Sequence, residues 1–243
     1  MALSGGISQD ARADVAFAPL LLHGVERAGV AGRAPRFCHI GTAGGDDRWW
    51  NAALDEAGRR AGVLMSHLNL FPRLNTESVV ECLADSDVIY VSGGSVENLL
   101  ALWRLHGLDK AIRTAWEAGV VLAGTSAGSM CWHVGGTTNS SAGPMRAFRN
   151  GLGFLPHSNS VHHDIDLQRR PLFHQLVLEG ILPAGYATDE GVGLVYVGTE
   201  MVEAVAETEG ALAYHVRRSD DGERVIEEPI RPRLLPGATQ NRR

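Results

Sequence analysis

The sequence predicts an α/β fold: a mostly parallel sheet flanked by helices, with antiparallel hairpins toward the C-terminus. Three observations predict it. Short apolar runs alternate with helix-like segments from Arg36 to Ala123, the pattern that right-handed crossovers and a parallel sheet require. The chain has 243 residues, 44% of them hydrophobic and 21% charged, enough to bury a sizeable core in one domain. Its 29 glycines are scattered, which marks many tight loops and not a low-complexity tract.

Residues 1–34, rich in Ala and Gly with weak periodicity, are expected to be an irregular start. Residues 36–41 read as a strand that runs into the turn Gly44-Gly45-Asp46. Residues 48–61 read as a helix with apolar positions at Trp49, Ala52, Ala53 and Ala57. A strand over 63–70 ends at Pro72, and a helix over 76–84 has Asn75 as its cap. Residues 88–91 form a fully apolar strand, broken by Gly93-Gly94. Helices over 96–105 and 108–118 and a strand over 120–123 complete the alternation. Residues 135–144 read as a polar loop and 171–178 as a helix. Short strands over 193–197, 202–205 and 211–216, a turn at 219–222 and a strand over 223–227 suggest antiparallel hairpins. One domain is expected over 1–230, with a tail over 231–243.

Composition excludes several classes. The formal charge of −6 argues against nucleic-acid binding by bulk positive charge. No apolar run approaches the roughly 18 residues of a membrane span. The near-apolar stretch 15–22 follows Arg12 and Asp14 and lacks the layout of a signal peptide. Cys38, Cys82 and Cys131 are odd in number and widely spaced, so they are expected as reduced thiols in a cytoplasmic protein. Neither a Cys-x-x-Cys pair nor a His-Glu-x-x-His helix occurs, and no dedicated metal site is expected.

The sharpest chemical signal is Gly124-Thr125-Ser126-Ala127-Gly128, placed after an apolar strand and before a plausible helix. That is the context of a nucleophile elbow. Flanking glycines permit a strained strand-to-helix turn that holds the Ser126 hydroxyl over the strand ends, while the helix start offers amides to an oxyanion. Gly93-Gly94-Ser95 follows the neighbouring strand and would end at the same sheet edge, where a glycine amide can also meet an oxyanion. It carries no Walker lysine. A serine nucleophile needs a base and an orienting acid. His162, His163 and His133 are candidates for the first, and Asp164, Asp166, Asp189 and Glu190 for the second. Spacing alone leaves these choices open.

The motifs in order carry a resemblance. Tyr90-Val91-Ser92-Gly93-Gly94-Ser95 with Asn98-Leu99-Leu100, Ala123-Gly124-Thr125-Ser126-Ala127-Gly128-Ser129, Gly151-Leu152-Gly153-Phe154-Leu155-Pro156 followed by His162, and Asp189-Glu190-Gly191 resemble the aspartyl dipeptidase (peptidase E) and cyanophycinase family of serine peptidases. The resemblance spans roughly residues 36–205. It implies a flavodoxin-like sandwich similar to class I glutamine amidotransferases. Within it, Ser126 matches the nucleophile, His162 the base and Glu190 the triad acid. Gly94 and Ala127 match the oxyanion hole, and Arg169 the arginine that grips an aspartyl side chain. Gly93, Ser95 and Asn139 fall among the substrate-facing positions. Ser95 stands where the family usually has Asn, Asn139 where many members have Asp, and His163 where an aromatic residue is common. The implied activity is hydrolysis of short peptides through an acyl-enzyme with acidic residues favoured, no cofactor, and a cytoplasmic location. A homodimer is left open.

Two other functions compete. A serine esterase would place its acid before a late histidine, yet the only late histidine, His215, falls in an expected hairpin strand. A non-catalytic peptide- or small-molecule-binding protein on the same fold draws support only from Ser95 and Asn139.

Overall fold

Side chains alternate across the central strands, and that alternation builds three layers. Phe37, Val88 and Tyr90 point to one face, against Leu21 of the helix Pro19–Arg27 and Leu54 and Ala57 of the helix Arg48–Ala61. Cys38, Ile40, Ile89 and Val91 point to the other. There they meet Leu83 of Val79–Ala84, Leu99 and Trp103 of Val96–His106, and Ile112 of Leu108–Glu117. Each of the larger aliphatic and Phe side chains among them stabilises the fold by about 1.5–3 kcal/mol relative to exposure. This computed structural model describes residues 1–9, 14–140 and 143–239.

The main sheet has eight strands. In spatial order they are Arg233–Thr239, Glu200–Thr208, Val192–Val197, Ala2–Ser4, Val121–Thr125, Val88–Val91, Arg36–Ile40 and Leu64–Leu68. The last five run parallel to one another. Val192–Val197 is antiparallel to both its neighbours. Registers Ile40↔Val91 and Val91↔Gly124 bring the C-terminal strand ends, and the loops that follow them, to one edge. The mixed α/β fold with a large, mostly parallel sheet is therefore as expected, and so are the hairpins Val192–Val197/Glu200–Thr208 and Ala213–Arg218/Val225–Ile230.

A second sheet of six strands was not expected. Its order is Val225–Ile230, Ala213–Arg218, Gly185–Thr188, Leu155–Ser160, His133–Thr138 and Arg146–Phe148. The residues expected as a polar loop over 135–144 supply its strand His133–Thr138, while 141–142 lie outside the described residues. Glycines are placed there for close approach: a Cβ on Gly136 would stand 2.2 Å from the Asn159 carbonyl oxygen.

Both ends of the chain correct the sequence reading. The expected irregular start contains the strand Ala2–Ser4 at the centre of the main sheet, the pair Ile7–Gln9/Val15–Phe17, and the helix Pro19–Arg27. Leu3, Leu20 and Leu21 are fully buried, so this segment is part of the core. The expected tail contains Arg233–Thr239, paired in parallel with Glu200–Thr208. Residues 10–13 and 240–243 lie outside the described residues.

Two helices also differ in detail. Arg48–Ala61 has the expected span, from an Asp47 cap that accepts the Trp50 amide at 2.8 Å to Gly62 in the left-handed region. Its buried face is Asn51, Leu54, Ala57 and Gly58, and Trp49 and Ala52 are exposed. Gly58 lies on that face at close approach, since a Cβ there would stand 2.3 Å from Met65 of the adjoining strand. The next helix begins at Val79 with Ser78 as cap, and Asn75 instead bonds the Asn69 amide and the His67 carbonyl.

Candidate active site

Ser126 sits at the end of Val121–Thr125 with φ 56° and ψ −113°. A positive φ is strained for a residue with a Cβ and persists only where its surroundings impose it. Here the glycines impose it. A Cβ on Gly124 would stand 2.1 Å from the Gly128 carbonyl oxygen, and one on Gly128 would stand 2.1 Å from that of Val91. The Ser126 amide donates to the Leu3 carbonyl at 3.1 Å, which ties the elbow to the N-terminal strand. The helix that follows is a single turn, Ala127–Met130. The chain turns from it at once into the second sheet. The local amides, and not a long helix dipole, therefore define the electrostatics beside Ser126.

Two amides are free to serve there. Ala127 is the first helical residue and has no intrahelical acceptor. The Gly94 amide has no acceptor among the described residues, whereas the next amide, Ser95, donates to Ala43 at 2.9 Å. Gly94 has φ +139°, and a Cβ there would meet the Ala43 carbonyl oxygen at 2.2 Å. Gly93 abuts the elbow: a Cβ on it would lie 3.2 Å from Ser126 Cβ and 3.8 Å from its Oγ. Ser95 is a helix cap whose hydroxyl accepts the Asn98 amide at 3.2 Å. That bond accounts for the serine at this position without any ligand.

His162 follows the strand Leu155–Ser160 of the second sheet and also has positive φ, 54°. Its Nδ1 is hydrogen-bonded to Glu190 Oε2. Glu190 lies in the link between Gly185–Thr188 of the second sheet and Val192–Val197 of the first. Its amide donates to Asp164 Oδ1 at 2.8 Å. Asp164 therefore positions the loop and does not orient His162. Asp189 is turned away, accepting the Leu212 amide at 3.0 Å and the Tyr214 hydroxyl at 3.4 Å, and burial pushes its carboxyl above the usual range.

Ser126, His162, Glu190, Asn139 and Arg169 line one cleft of about 640 Å³, together with Ile165, Asp166, Leu167 and Gln168. Among the described residues the Ser126 hydroxyl has no hydrogen-bond partner, so His162 and Glu190 are joined and Ser126 opens on the same space. Arg169 is buried in the wall, with Nη1 donating to the Thr137 carbonyl at 2.8 Å and Nη2 3.7 Å from Asp166. Its Nε is buried and has no hydrogen-bond partner among the described residues.

The other candidate bases lie elsewhere. His133 begins a strand. It is buried, with Nδ1 at 3.0 Å from the Ser129 carbonyl, and burial pushes its pKa down to about 3. His163 is buried on the far side of its loop against Ser160 and Glu227. Sequence reasoning missed Ser4, whose hydroxyl accepts the His162 amide at 3.3 Å. No local signal marks it, because its partner is distant in the chain.

No helix among the described residues is long and apolar enough to cross a membrane. Cys38, Cys82 and Cys131 are free thiols.

Comparison with known proteins agrees with this architecture. The model of peptidase family S51 matches residues 7–204. An uncharacterized peptidase of Bacillus subtilis (strain 168), YgaJ, is 39% identical over 197 residues, covering 81% of this chain and 84% of that protein. The crystal structure of a peptidase from an acI-B1 Actinobacterium superposes with a TM-score of 0.65 at 21% identity, covering 88% of this chain and 87% of that one, and so shares the fold. With four-fifths of its length matched, this chain belongs to peptidase family S51, the family of peptidase E and cyanophycinase that its motifs resemble.

Proposed function

We propose that the protein is a serine peptidase of short peptides, with Ser126 as nucleophile, His162 as general base and Glu190 as the acid that orients it. The observation that carries this reading is a serine held at φ 56° on a glycine-flanked elbow, opening on the cleft that holds a histidine–glutamate pair. Ser126 Oγ attacks the scissile carbonyl carbon while His162 Nε2 takes its proton. Glu190 accepts the Nδ1 hydrogen, which fixes the tautomer and offsets the charge of the imidazolium. The Gly94 and Ala127 amides receive the oxyanion, each donor being worth about 3 kcal/mol in the transition state. His162 then protonates the leaving amine, and water hydrolyses the acyl-enzyme by the same steps. Catalytic hydrogen bonds are commonly long in the free enzyme and close when substrate fills the site, which accounts for an unpartnered Ser126 hydroxyl.

Arg169 supports a preference for acidic side chains, since a guanidinium in the cleft wall favours a carboxylate. The proposed location is the cytoplasm.

The decisive experiment is fluorophosphonate labelling with peptide hydrolysis on the same preparation. The wild-type chain is expected to label at Ser126 and to cleave dipeptides. Ser126→Ala is expected to do neither, beyond a residue of catalysis from binding and the oxyanion hole. Labelling without cleavage of any peptide would favour an esterase. Neither labelling nor cleavage by wild type would favour a binding protein.

A further inference from the structure

Three ligand-type atoms converge behind the His162 loop, outside the cleft. We propose that His163, His174 and Glu227 form a binding site for a divalent transition metal, with zinc as the best-matched ion.

The three residues come from separate elements: the loop after Leu155–Ser160, the helix Arg169–Leu178 and the strand Val225–Ile230. Their donor atoms all lie within 4.8 Å of one another. His163 Nε2 is 3.1 Å and His174 Nε2 is 2.5 Å from the same oxygen, Glu227 Oε2. Tetrahedral zinc with bonds of about 2.0–2.1 Å sets its ligand atoms about 3.3 Å apart. The His163–Glu227 edge already has nearly that length, and the His174–Glu227 edge needs to open by less than about 1 Å, a small rotamer adjustment for a partly exposed side chain.

The groups around the cluster suit this role. His163 Nδ1 lies 3.2 Å from Ser160 Oγ. With its Nδ1–H donated there, Nε2 keeps the lone pair a metal needs, the arrangement that orients ligating histidines. The other carboxylate oxygen, Glu227 Oε1, accepts Arg170, which holds the carboxylate so that Oε2 faces the two imidazoles. His163 is fully buried and Glu227 nearly so, while His174 is 26% exposed. An ion therefore has a path from solvent along the His174 side. Two imidazoles and one carboxylate select a borderline cation over calcium or magnesium, which take all-oxygen shells. The ligands span 64 positions of sequence, so no short spacing motif announces them.

A metal here would bridge helix, hairpin and the loop that carries His162 in the adjacent position. It would stabilise the fold and fix that loop, without touching the reacting atoms. Binding itself does not depend on the peptidase reading.

The test is zinc binding by the full chain at pH 7.5, after chelator treatment, by competition with a chromophoric chelator. One zinc per chain with submicromolar affinity and a melting temperature that rises with zinc concentration are expected. His174→Ala and Glu227→Gln are expected to weaken binding by about 100-fold or more. Both are checked for native circular dichroism, and the near-isosteric Glu227→Gln serves if His174→Ala unfolds. No stoichiometric binding below about 10 μM would overturn the site, since structural zinc binds far more tightly. Affinity unchanged in both variants would equally overturn it, by placing the zinc on other histidines. These readouts use no activity, so failure of the peptidase assignment leaves them unaffected.

Discussion

Ser4 Oγ accepts the backbone N–H of His162 at 3.3 Å across 158 residues of sequence. The same hydroxyl lies 2.7 Å from Thr188 Oγ1, and the Ser4 carbonyl accepts the amide of Gly191, the residue after Glu190. Its neighbour Leu3 accepts the Ser126 amide. A three-residue strand thus touches the segments that carry all three proposed catalytic residues, and it does so from inside the core.

Ser4→Ala tests that role. It leaves the His162 amide and the Thr188 hydroxyl without their partner in a buried setting, at a cost of about 1–3 kcal/mol of stability. The loop that positions His162 loosens, and kcat is expected to fall about tenfold with KM little changed, because misplacing a base by a fraction of an ångström penalises the chemical step. Urea melts and steady-state kinetics on the purified variant check both. An unchanged kcat would show that the positive-φ turn at His162 is held by the rest of its loop alone.

The elbow glycines give a sharper expectation. Gly124→Ala and Gly128→Ala each push a methyl to 2.1 Å from a backbone carbonyl oxygen, which no side-chain rotation relieves. Each is expected to destabilise by about 3 kcal/mol or more and to abolish fluorophosphonate labelling. Gly119→Ala is the control for glycine loss without a clash. A Cβ there meets nothing within 4 Å, although φ is +98°, so a smaller loss from backbone strain alone is expected. Thermal melts and labelling of the three variants side by side decide it.

Four of the five parallel strands were legible because each carries its own signal. Val88–Val91 is wholly apolar and Arg48–Ala61 has a cap at each end, so neither needs distant partners to be recognised. Ala2–Ser4 has no such signal. Three residues without pattern become a central strand only because Gly124 and Leu194, far along the chain, stand on either side of Ala2. His133–Thr138 was misread for a related reason. Its glycines look like loop, but they let Phe148 and Asn159 backbone approach within van der Waals contact. The elbow at Ser126 was legible from its flanks, whereas spacing alone did not separate His162 from His163, and only the family resemblance pointed to His162. One residue separates a side chain that faces the cleft from one that faces Glu227, and only the turn at φ 54° decides which is which.

Two buried histidines, His133 and His39, contribute to the acid limb of stability. Burial lowers His133 to about 3, with the nearby His157 and N-terminal ammonium adding to it and the Ser129 carbonyl opposing it. His39 is likewise lowered to about 3, by burial and then by His67. In the unfolded chain both return to about 6.5. Between those values the unfolded state binds more protons, so stability rises with pH. The contribution is complete above about pH 6.5 and is lost as pH falls toward 3, at about 1.4 kcal/mol per pH unit for each histidine. His133→Asn keeps a donor for Ser129 and removes the titration. Its destabilisation relative to wild type is expected to shrink as pH drops from 7.5 to 5, measured as the difference in urea midpoint. A constant difference across that range would show that His133 does not titrate between the two states.

Arg169 tests the proposed preference for acidic substrates. Its side chain is only 5% exposed yet lines the cleft, and it is tied by one short bond to the Thr137 carbonyl and by a longer approach to Asp166. Burial lowers its pKa and Asp166 opposes that, so the guanidinium stays charged at neutral pH. A largely buried guanidinium that lines the cleft gains more from an incoming carboxylate than the same group in water, since most of its desolvation is already complete. A charge-assisted hydrogen bond contributes about 1.5–3 kcal/mol, a factor of about 10–150 in kcat/KM. Arg169→Met is therefore expected to lose a factor within that range on aspartyl dipeptides and less than about threefold on neutral ones. Arg169→Lys keeps the charge but not the fork, and should recover only part of the acidic preference. The tie to Thr137 gives the competing outcome. If that bond is the whole role of Arg169, both variants lose stability and cleave acidic and neutral peptides with equally reduced efficiency. A paired measurement of melting temperature and kcat/KM on the two substrate classes separates a specificity residue from a structural one.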